Sequence, residues 1–205
     1  MIACEENVNA VTDRSLRPRR TAVIVSPHFP PSALASVHRA RHLAKHLPAA
    51  GWEPIVVCVD EAFHEGRLDP ALARLVPERV QQVKTSALPR RLMRPLGVGD
   101  IGLRGYRPLA RAVLGLAERR RVDAVFITGA PYYPMMIASA LKARGIPVVL
   151  DFQDPWVSRW SAAQPSLSKA GISHRLATWL EPRAIKAASF ITSVSEVQND
   201  ELAER

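Results

Sequence analysis

The sequence has few cysteines and few aromatic residues, and each shortage excludes a class of protein. Cys4 and Cys58 are the two cysteines in 205 residues, and they form neither a disulfide framework nor a metal-ligand spacing. Phe, Trp and Tyr make up 6% of the chain, too little for the basic and aromatic surface typical of nucleic-acid binding. We therefore expect no disulfide-stabilised fold, no metal site and no nucleic-acid partner.

Long apolar segments are also missing. No apolar run approaches the roughly 18 to 20 residues that span a bilayer, and the first twenty residues lack the apolar core of a signal peptide. These absences predict a cytoplasmic location. Residues 1–20 show no apolar periodicity and end in Pro-Arg-Arg, so they are predicted to be a flexible leader before one ordered domain over residues 21–205.

Positive charge is in excess, with 28 Lys and Arg against 19 Asp and Glu and a formal net charge of +9. This balance favours anionic partners such as phosphates, sugar nucleotides or acidic lipids. The arginines fall in small groups, which fit solvated surface or favourable charges at helix carboxyl ends. An alternative is that the basic segment between Arg90 and Arg121 rests on an anionic membrane, at the inner face.

Short apolar segments alternate with helical patterns about six times along the chain. This alternation predicts an α/β fold, a Rossmann-like doubly wound parallel sheet with helices on both faces. The helical segment from about residue 173 to 188 is expected to be interrupted or restarted at Pro182. The predicted strands cover residues 21–26, 54–59, 79–85, 123–128, 147–151 and 190–194.

The loop after the first predicted strand precedes a helix, a position where α/β domains receive phosphate on backbone N–H groups. It contains no glycine, so the Gly-X-Gly-X-X-Gly fingerprint is missing and we expect no NAD or FAD cofactor. The small residues between Ser32 and Ser36 would still let a ligand approach the backbone, although Ser36 as a helix N-cap explains them equally well. His28 lies in the same loop, within reach of a ligand bound there.

Acidic and aromatic residues follow two further strands. Asp151, Asp154 and Trp156 come at the end of the fifth strand, and Tyr132 follows the fourth. Because carboxyl ends of parallel strands share one sheet edge, we expect three strand ends to converge on one crevice. Aromatic rings beside carboxylates suit sugar binding, while a capping Asp and core-filling rings are the structural alternative.

The order of several segments resembles the opening half of family-four-like glycosyltransferases of the GT-B fold. The stretch Leu-Asp-Phe-Gln-Asp-Pro-Trp, residues 150–156, is similar to the family's Asp-X-Arg-Asp-X-Trp segment. The other similar segments are residues 23–31, 42–47, 51–59 and 180–195. The chain departs from the family's pattern at Gln153, where Arg is common, and in the first loop, where many relatives have a Gly-Gly pair.

The resemblance implies a two-domain enzyme that transfers a sugar from a nucleotide-sugar donor to a saccharide or lipid-linked acceptor. This chain would be the amino-terminal, acceptor-side domain, with the carboxy-terminal donor domain absent, and it would be inactive alone. Asp154 would be catalytic, orienting or deprotonating the acceptor hydroxyl. The implied acceptor contacts are His28, Tyr132, Asp151 and Trp156, and the residues near the donor diphosphate are Ser32, Ala33, Leu34, Ala35 and Ser36.

A second interpretation belongs to a different class of protein. The chain could be a non-catalytic α/β module that binds a phosphorylated ligand or a partner protein. A nucleic-acid binder ranks third and would show affinity that falls steeply with salt. Under none of these interpretations does the sequence indicate a cofactor.

Overall fold

The structure, a computed structural model, describes residues 19–95 and 98–204. Its centre is a six-stranded sheet in the order β3-β2-β1-β4-β5-β6, with every neighbouring pair parallel. This order reverses between β1 and β4, as in a doubly wound Rossmann-like domain, so the predicted fold class is confirmed. The strands are β1 Arg20–Val25, β2 Trp52–Val59, β3 Gln81–Thr85, β4 Ala124–Gly129, β5 Val148–Phe152 and β6 Phe190–Thr192.

Nine α-helices lie within the described residues, and three 3₁₀ segments accompany them at Leu47–Ala50, Glu61–Phe63 and Tyr133–Ile137. The predicted leader falls mostly on residues 1–18, outside the described residues, and β1 already includes Arg20. The α-helices are α1 Val37–His46, α2 Pro70–Ala73, α3 Arg90–Met93, α4 Ile101–Arg104, α5 Tyr106–Arg119, α6 Ala138–Lys142, α7 Arg159–Ala162, α8 Lys169–Ala187 and α9 Glu196–Ala203.

The two faces of the sheet carry separate apolar cores. Along β1, Val23 and Val25 face the larger core, while Ile24 faces the smaller one, as the two-residue period of a strand requires. The smaller core is closed by α1 through Ala40 and Ala44. Helical cover on both faces explains why the predicted strands are almost continuously apolar.

Helix α8 corrects one expectation, because it continues through Pro182 instead of stopping there. A proline inside a helix costs about 3 kcal/mol in lost hydrogen bonding and steric clash. Here Ala177, Ala184 and Ala187 are buried against the larger core on both sides of the proline, and this packing holds the helix together. None of the helices within the described residues is long and apolar enough to cross a membrane.

Candidate functional site

Three strand ends meet at one edge of the sheet, because β1, β4 and β5 are neighbours in the strand order. The Thr128 hydroxyl at the end of β4 donates to Ser26 Oγ at the end of β1, at 3.2 Å. The Gln153 amide, just beyond β5, donates to the Gly129 carbonyl at 3.1 Å. We call this convergence the strand-end crevice, and it brings together the loops that carry the predicted site residues.

Asp151 lies at the base of the crevice and has no exposed surface. Its Oδ1 accepts hydrogen bonds from Arg39 Nη1 of α1 at 2.6 Å and from the Thr192 hydroxyl of β6 at 2.8 Å. Its Oδ2 is buried without a hydrogen-bond partner among the described residues. Burial raises the pKa of this carboxyl, and the hydrogen bonds from Thr192 and Arg39 oppose that shift. Because Asp151 has no exposed surface, an acceptor could not contact it directly in this structure.

Asp154 differs from Asp151 in that it is exposed at the rim of the crevice. Its side chain has no hydrogen-bond partner within the described residues, while its carbonyl accepts a 2.7 Å hydrogen bond from the Tyr132 hydroxyl. Burial is the main cause that raises the pKa of that hydroxyl, so Tyr132 stays a donor at neutral pH. The backbone of Asp154 is therefore held in place, and its carboxylate is free to meet a ligand.

Aromatic side chains form the wall between the β4 and β5 loops. The Tyr132 ring stacks on Trp156 at 5.4 Å and on Phe152 at 6.3 Å, and Tyr133 meets Trp156 edge-on at 5.8 Å. A Cβ at Gly129 would lie 2.5 Å from the Tyr132 ring, so this close approach requires glycine. Trp156 is only 9% exposed, and its ring packs mainly in the larger core.

The loop between Ser32 and Ser36 leads into α1. Ser32 is buried and forms an isolated antiparallel bridge with Leu68. The Ala33 amide donates to the Arg67 carbonyl at 3.0 Å, whereas the amides of Leu34, Ala35 and Ser36 have no partner in residues 19–95 and 98–204. Ser36 is the helix N-cap residue, but its side chain makes no capping hydrogen bond. Three backbone donors thus remain available next to the crevice.

His28 occupies the same edge and lies near His64 and Arg104. Its ring meets His64 edge-on at 4.9 Å, and its Nδ1 is buried without a partner in the described part of the chain. Burial lowers the pKa of His28 to about 4, and the charges of His64 and Arg104 act in the same direction. His28 is therefore neutral at physiological pH and can act as a hydrogen-bond donor or acceptor.

Sequence patterns did not predict several of the contacts that organise the crevice. Arg39 pairs with Asp151 across 112 positions of sequence, and Gln153 Nε2 donates to the Ser36 carbonyl at 3.2 Å. Glu181 of α8 is fully buried and accepts from the Val157 amide at 3.1 Å. Because these contacts join segments that are distant in sequence, no local spacing predicts them.

Two other features lie outside the crevice. His38, His42 and His46 are exposed on α1, and the described residues contain no group of His, Cys, Asp or Glu that could hold a metal ion. A separate open cleft of about 610 Å³ contains none of the predicted site residues. Its lining is Pro30, Pro31, Glu61, Leu68, Pro70, Ala73, Val76, Gln82 and Lys84.

Comparison with known families gives independent evidence on the fold. Residues 35–205 match the model of the family described as "Glycosyl transferase 4-like domain". The chain belongs to this family. The match includes β2 to β6, α1 and every residue predicted to contact the acceptor except His28, which precedes it. No match was found among curated protein sequences.

The glycosyl transferase 4-like chain also resembles solved structures with the GT-B fold. Apo UGT2 of Phytolacca americana superposes with a TM-score of 0.58 at 12% identity, over 87% of this chain and 46% of that one. UGT71G1 of Medicago truncatula, complexed with UDP-glucose, superposes with a TM-score of 0.54 at 11% identity, over 90% of this chain and 48% of that one. The glycosyl transferase 4-like chain thus spans about half the length of these structures and has the fold of one GT-B half.

Proposed function

We propose that this chain is the amino-terminal, acceptor-side domain of a glycosyltransferase that takes a sugar from a nucleotide-sugar donor. The observation that carries the proposal is the exposed Asp154 carboxylate, on a backbone fixed by Tyr132, in the strand-end crevice of a glycosyl transferase 4-like domain. A second, donor-binding domain would close over this edge, and the chain alone would transfer little. The structure of UGT71G1 was solved with UDP-glucose, which agrees with a nucleotide-sugar donor.

The proposed chemistry assigns one task to each part of the crevice. The acceptor oxygen bonds to the anomeric carbon of the donor, the bond from that carbon to the diphosphate oxygen breaks, and the nucleoside diphosphate leaves. The hydroxyl proton of the acceptor passes to the Asp154 carboxylate, which acts as general base. Tyr132 and neutral His28 would contact the acceptor, and Trp156 would support the Tyr132 ring from behind.

The donor diphosphate is proposed to approach the loop from Ser32 to Ser36. The free amides of Leu34, Ala35 and Ser36 precede the ten-residue helix α1, whose amino-terminal end is positive. Ser32 and Ala33 shape this loop through their contacts with the segment Arg67–Leu68. Asp151 is proposed to act on the acceptor through Arg39, which it holds beside the crevice.

The test is a transfer assay of the complete enzyme with a panel of nucleotide sugars and with saccharide and lipid-phosphate acceptors. Asp154→Asn keeps the size of the side chain and removes the base, so we expect a loss of kcat of about 100-fold or more. Glu78→Gln, another exposed carboxylate, is the matched control and should change little. An Asp154→Asn enzyme with full activity would refute the assignment of the base, and failure to turn over any donor would favour a non-catalytic binding module.

Membrane contact is the finer part of the proposal. A lipid-linked acceptor would bring the enzyme to the inner membrane face, and the basic segment between Arg90 and Arg121 is one surface that could touch an anionic bilayer. In the structure this segment contains α3, α4 and α5, and part of its charge is already paired. Arg90 contacts Glu65 at 2.9 Å, and buried Arg104 contacts the same carboxylate at 2.8 Å.

A further inference from the structure

Helix α8 packs Leu180 and Ile185 against the larger core, but it carries three other large apolar side chains on its outward face. Its buried positions hold small residues and one acid, namely Gly171, Ala177, Glu181, Ala184 and Ala187. Ile172, Leu176 and Trp179 lie outward instead, with exposed fractions of 55%, 37% and 56%. A helix that is apolar on both faces is expected where the second face also has an apolar environment to enter.

The outward residues form a single stripe. Ile172, Leu176, Trp179 and Arg183 follow one another at intervals of four, three and four, which places them on one side of the helix. Leu167, two residues before α8, is 88% exposed, and Trp160 on the neighbouring helix α7 is 68% exposed. The exposed apolar area is thus concentrated in a short stretch of the chain.

Positive charges surround this stripe. Lys169, Arg175 and Arg183 are all exposed, and the Arg183 guanidinium lies 3.9 Å from the centre of the Trp179 ring. Glu181 is the one acid in α8, and it is fully buried on the opposite side. We call Ile172, Leu176, Trp179, Lys169, Arg175 and Arg183 the outer α8 surface; it combines apolar groups with cations and contains no carboxylate.

We propose that the outer α8 surface inserts into the interface of an anionic lipid bilayer. Large apolar and aromatic groups among Lys and Arg are the pattern of helices that lie in a membrane interface. A surface whose charges all have one sign complements a uniformly negative lipid surface. This proposal places the main membrane contact on α8 and not on the basic segment between Arg90 and Arg121.

The position of α8 connects the bilayer to the strand-end crevice. Val157, one residue after Trp156, donates its amide hydrogen to buried Glu181 of α8, so a direct hydrogen bond joins the crevice loop to the helix. A bilayer bound to the outer α8 surface would therefore hold the crevice near the depth at which a lipid-linked acceptor presents its head group. This consequence rests on the proposed function, whereas binding to lipid does not.

The test is cosedimentation of the complete enzyme with vesicles of phosphatidylcholine alone and with 30% phosphatidylglycerol. We expect binding to the anionic vesicles and little to the neutral ones. The triple variant Lys169→Gln, Arg175→Gln and Arg183→Gln should weaken binding about 100-fold, at about fivefold for each cation. Leu176→Ser with Trp179→Ser should weaken it at least tenfold, because both side chains lose their insertion into the interface.

Matched controls come from other exposed positions. Leu75→Ser replaces another exposed leucine, and Arg91→Gln, Arg94→Gln and Arg107→Gln remove three exposed cations from the basic segment. Both controls should bind within about threefold of the unchanged chain. Brominated lipids should quench the fluorescence of Trp179 in the unchanged chain, and the quenching should be weaker in Trp179→Phe.

Three results would overturn the inference: no binding to anionic vesicles, equal losses in the controls, or a dimer that dissociates in the Leu176→Ser, Trp179→Ser variant. Failure of the proposed function would be distinguishable from failure of this inference. Asp154→Asn should keep vesicle binding while losing transfer, and the outer α8 variants should keep transfer to a water-soluble acceptor. Circular dichroism of each variant confirms that the fold is intact, as expected for exposed positions.

Discussion

Removal of the Asp151 carboxylate is the sharpest test of how the crevice is held together. Asp151→Ala deletes the acceptor of two charge-assisted hydrogen bonds, from Arg39 at 2.6 Å and from Thr192 at 2.8 Å. Breaking a fully buried ion pair costs about 3 to 5 kcal/mol. The Arg39 side chain is 36% exposed and can turn to water, so we expect a smaller loss of about 2 to 3 kcal/mol in the free energy of unfolding.

The variant Asp151→Asn separates charge from hydrogen bonding. It keeps an oxygen acceptor for Arg39 and Thr192 and removes the buried charge. Because burial raises the pKa of Asp151, ionisation of its carboxyl destabilises the folded state. The asparagine variant should therefore unfold within about 1 kcal/mol of the unchanged chain at pH 7.

The pH dependence of stability shows whether ionisation of Asp151 stabilises or destabilises the fold. For a carboxyl with a raised folded pKa, its contribution to stability is complete below the ordinary value of 3.8 and is lost as the pH rises through the folded pKa. The difference in stability between the unchanged chain and Asp151→Asn should move in favour of the variant as the pH rises through that window. Comparing the two proteins cancels the titration of other groups.

Urea and thermal unfolding followed by circular dichroism measure these differences. A loss of 2 to 3 kcal/mol corresponds to a fall in Tm of about 5 to 10 °C for a domain of this size. Asp154→Ala, an exposed carboxylate three residues away, is the control and should change stability by less than about 0.5 kcal/mol. If Asp151→Ala matches the unchanged chain, or if asparagine costs as much as alanine, the described role of Asp151 is wrong.

Three further predictions concern other residues. His28, with a pKa of about 4, should lower the free energy of unfolding by up to about 3 kcal/mol as the pH falls from 6.5 toward 4. Unfolding of His28→Gln over the same pH range measures this effect, because the variant lacks the imidazole. The same pH profile for the variant and the unchanged chain would contradict the prediction. Gly171→Ala places a Cβ 2.2 Å from the Pro165 carbonyl oxygen and should cost about 1 to 3 kcal/mol in urea unfolding, whereas Gly115→Ala meets only the flexible Arg119 side chain and should be neutral or stabilising. Tyr132→Phe removes the hydrogen bond to the Asp154 carbonyl and should increase amide hydrogen exchange after β5 without unfolding the domain; unchanged exchange would argue against this anchor.

Much of the fold could be predicted from local patterns. The apolar segments of β1, β2, β4 and β5 are short, continuous and bounded by turn residues, and each was predicted within two residues of its observed bounds. Gly51 and Gly145 follow helical segments and adopt φ values of 81° and 70°, a left-handed conformation that favours glycine. Convergence of three strand ends followed from parallel topology alone and is confirmed.

The rest depended on tertiary contacts. Local rules for proline predict a break at Pro182, but packing of α8 on the larger core outweighs them. The pairing of Asp151 with Arg39 could not be predicted, because the two residues are 112 positions apart and no local spacing links them. For the same reason the local sequence does not indicate that Asp151 is buried and Asp154 exposed, although both come at the end of β5.

The most direct test of the acceptor-side assignment is a titration of the chain, followed by ¹⁵N–¹H NMR, with a lipid-phosphate acceptor analogue, with saccharides and with nucleotide sugars. The account predicts that an acceptor analogue shifts the amides of Tyr132 and Asp154, and that Asp154→Asn weakens this binding about tenfold or more while nucleotide sugars bind only weakly near Ser36. Tight nucleotide-sugar binding, with no response of the crevice to any acceptor, would contradict it.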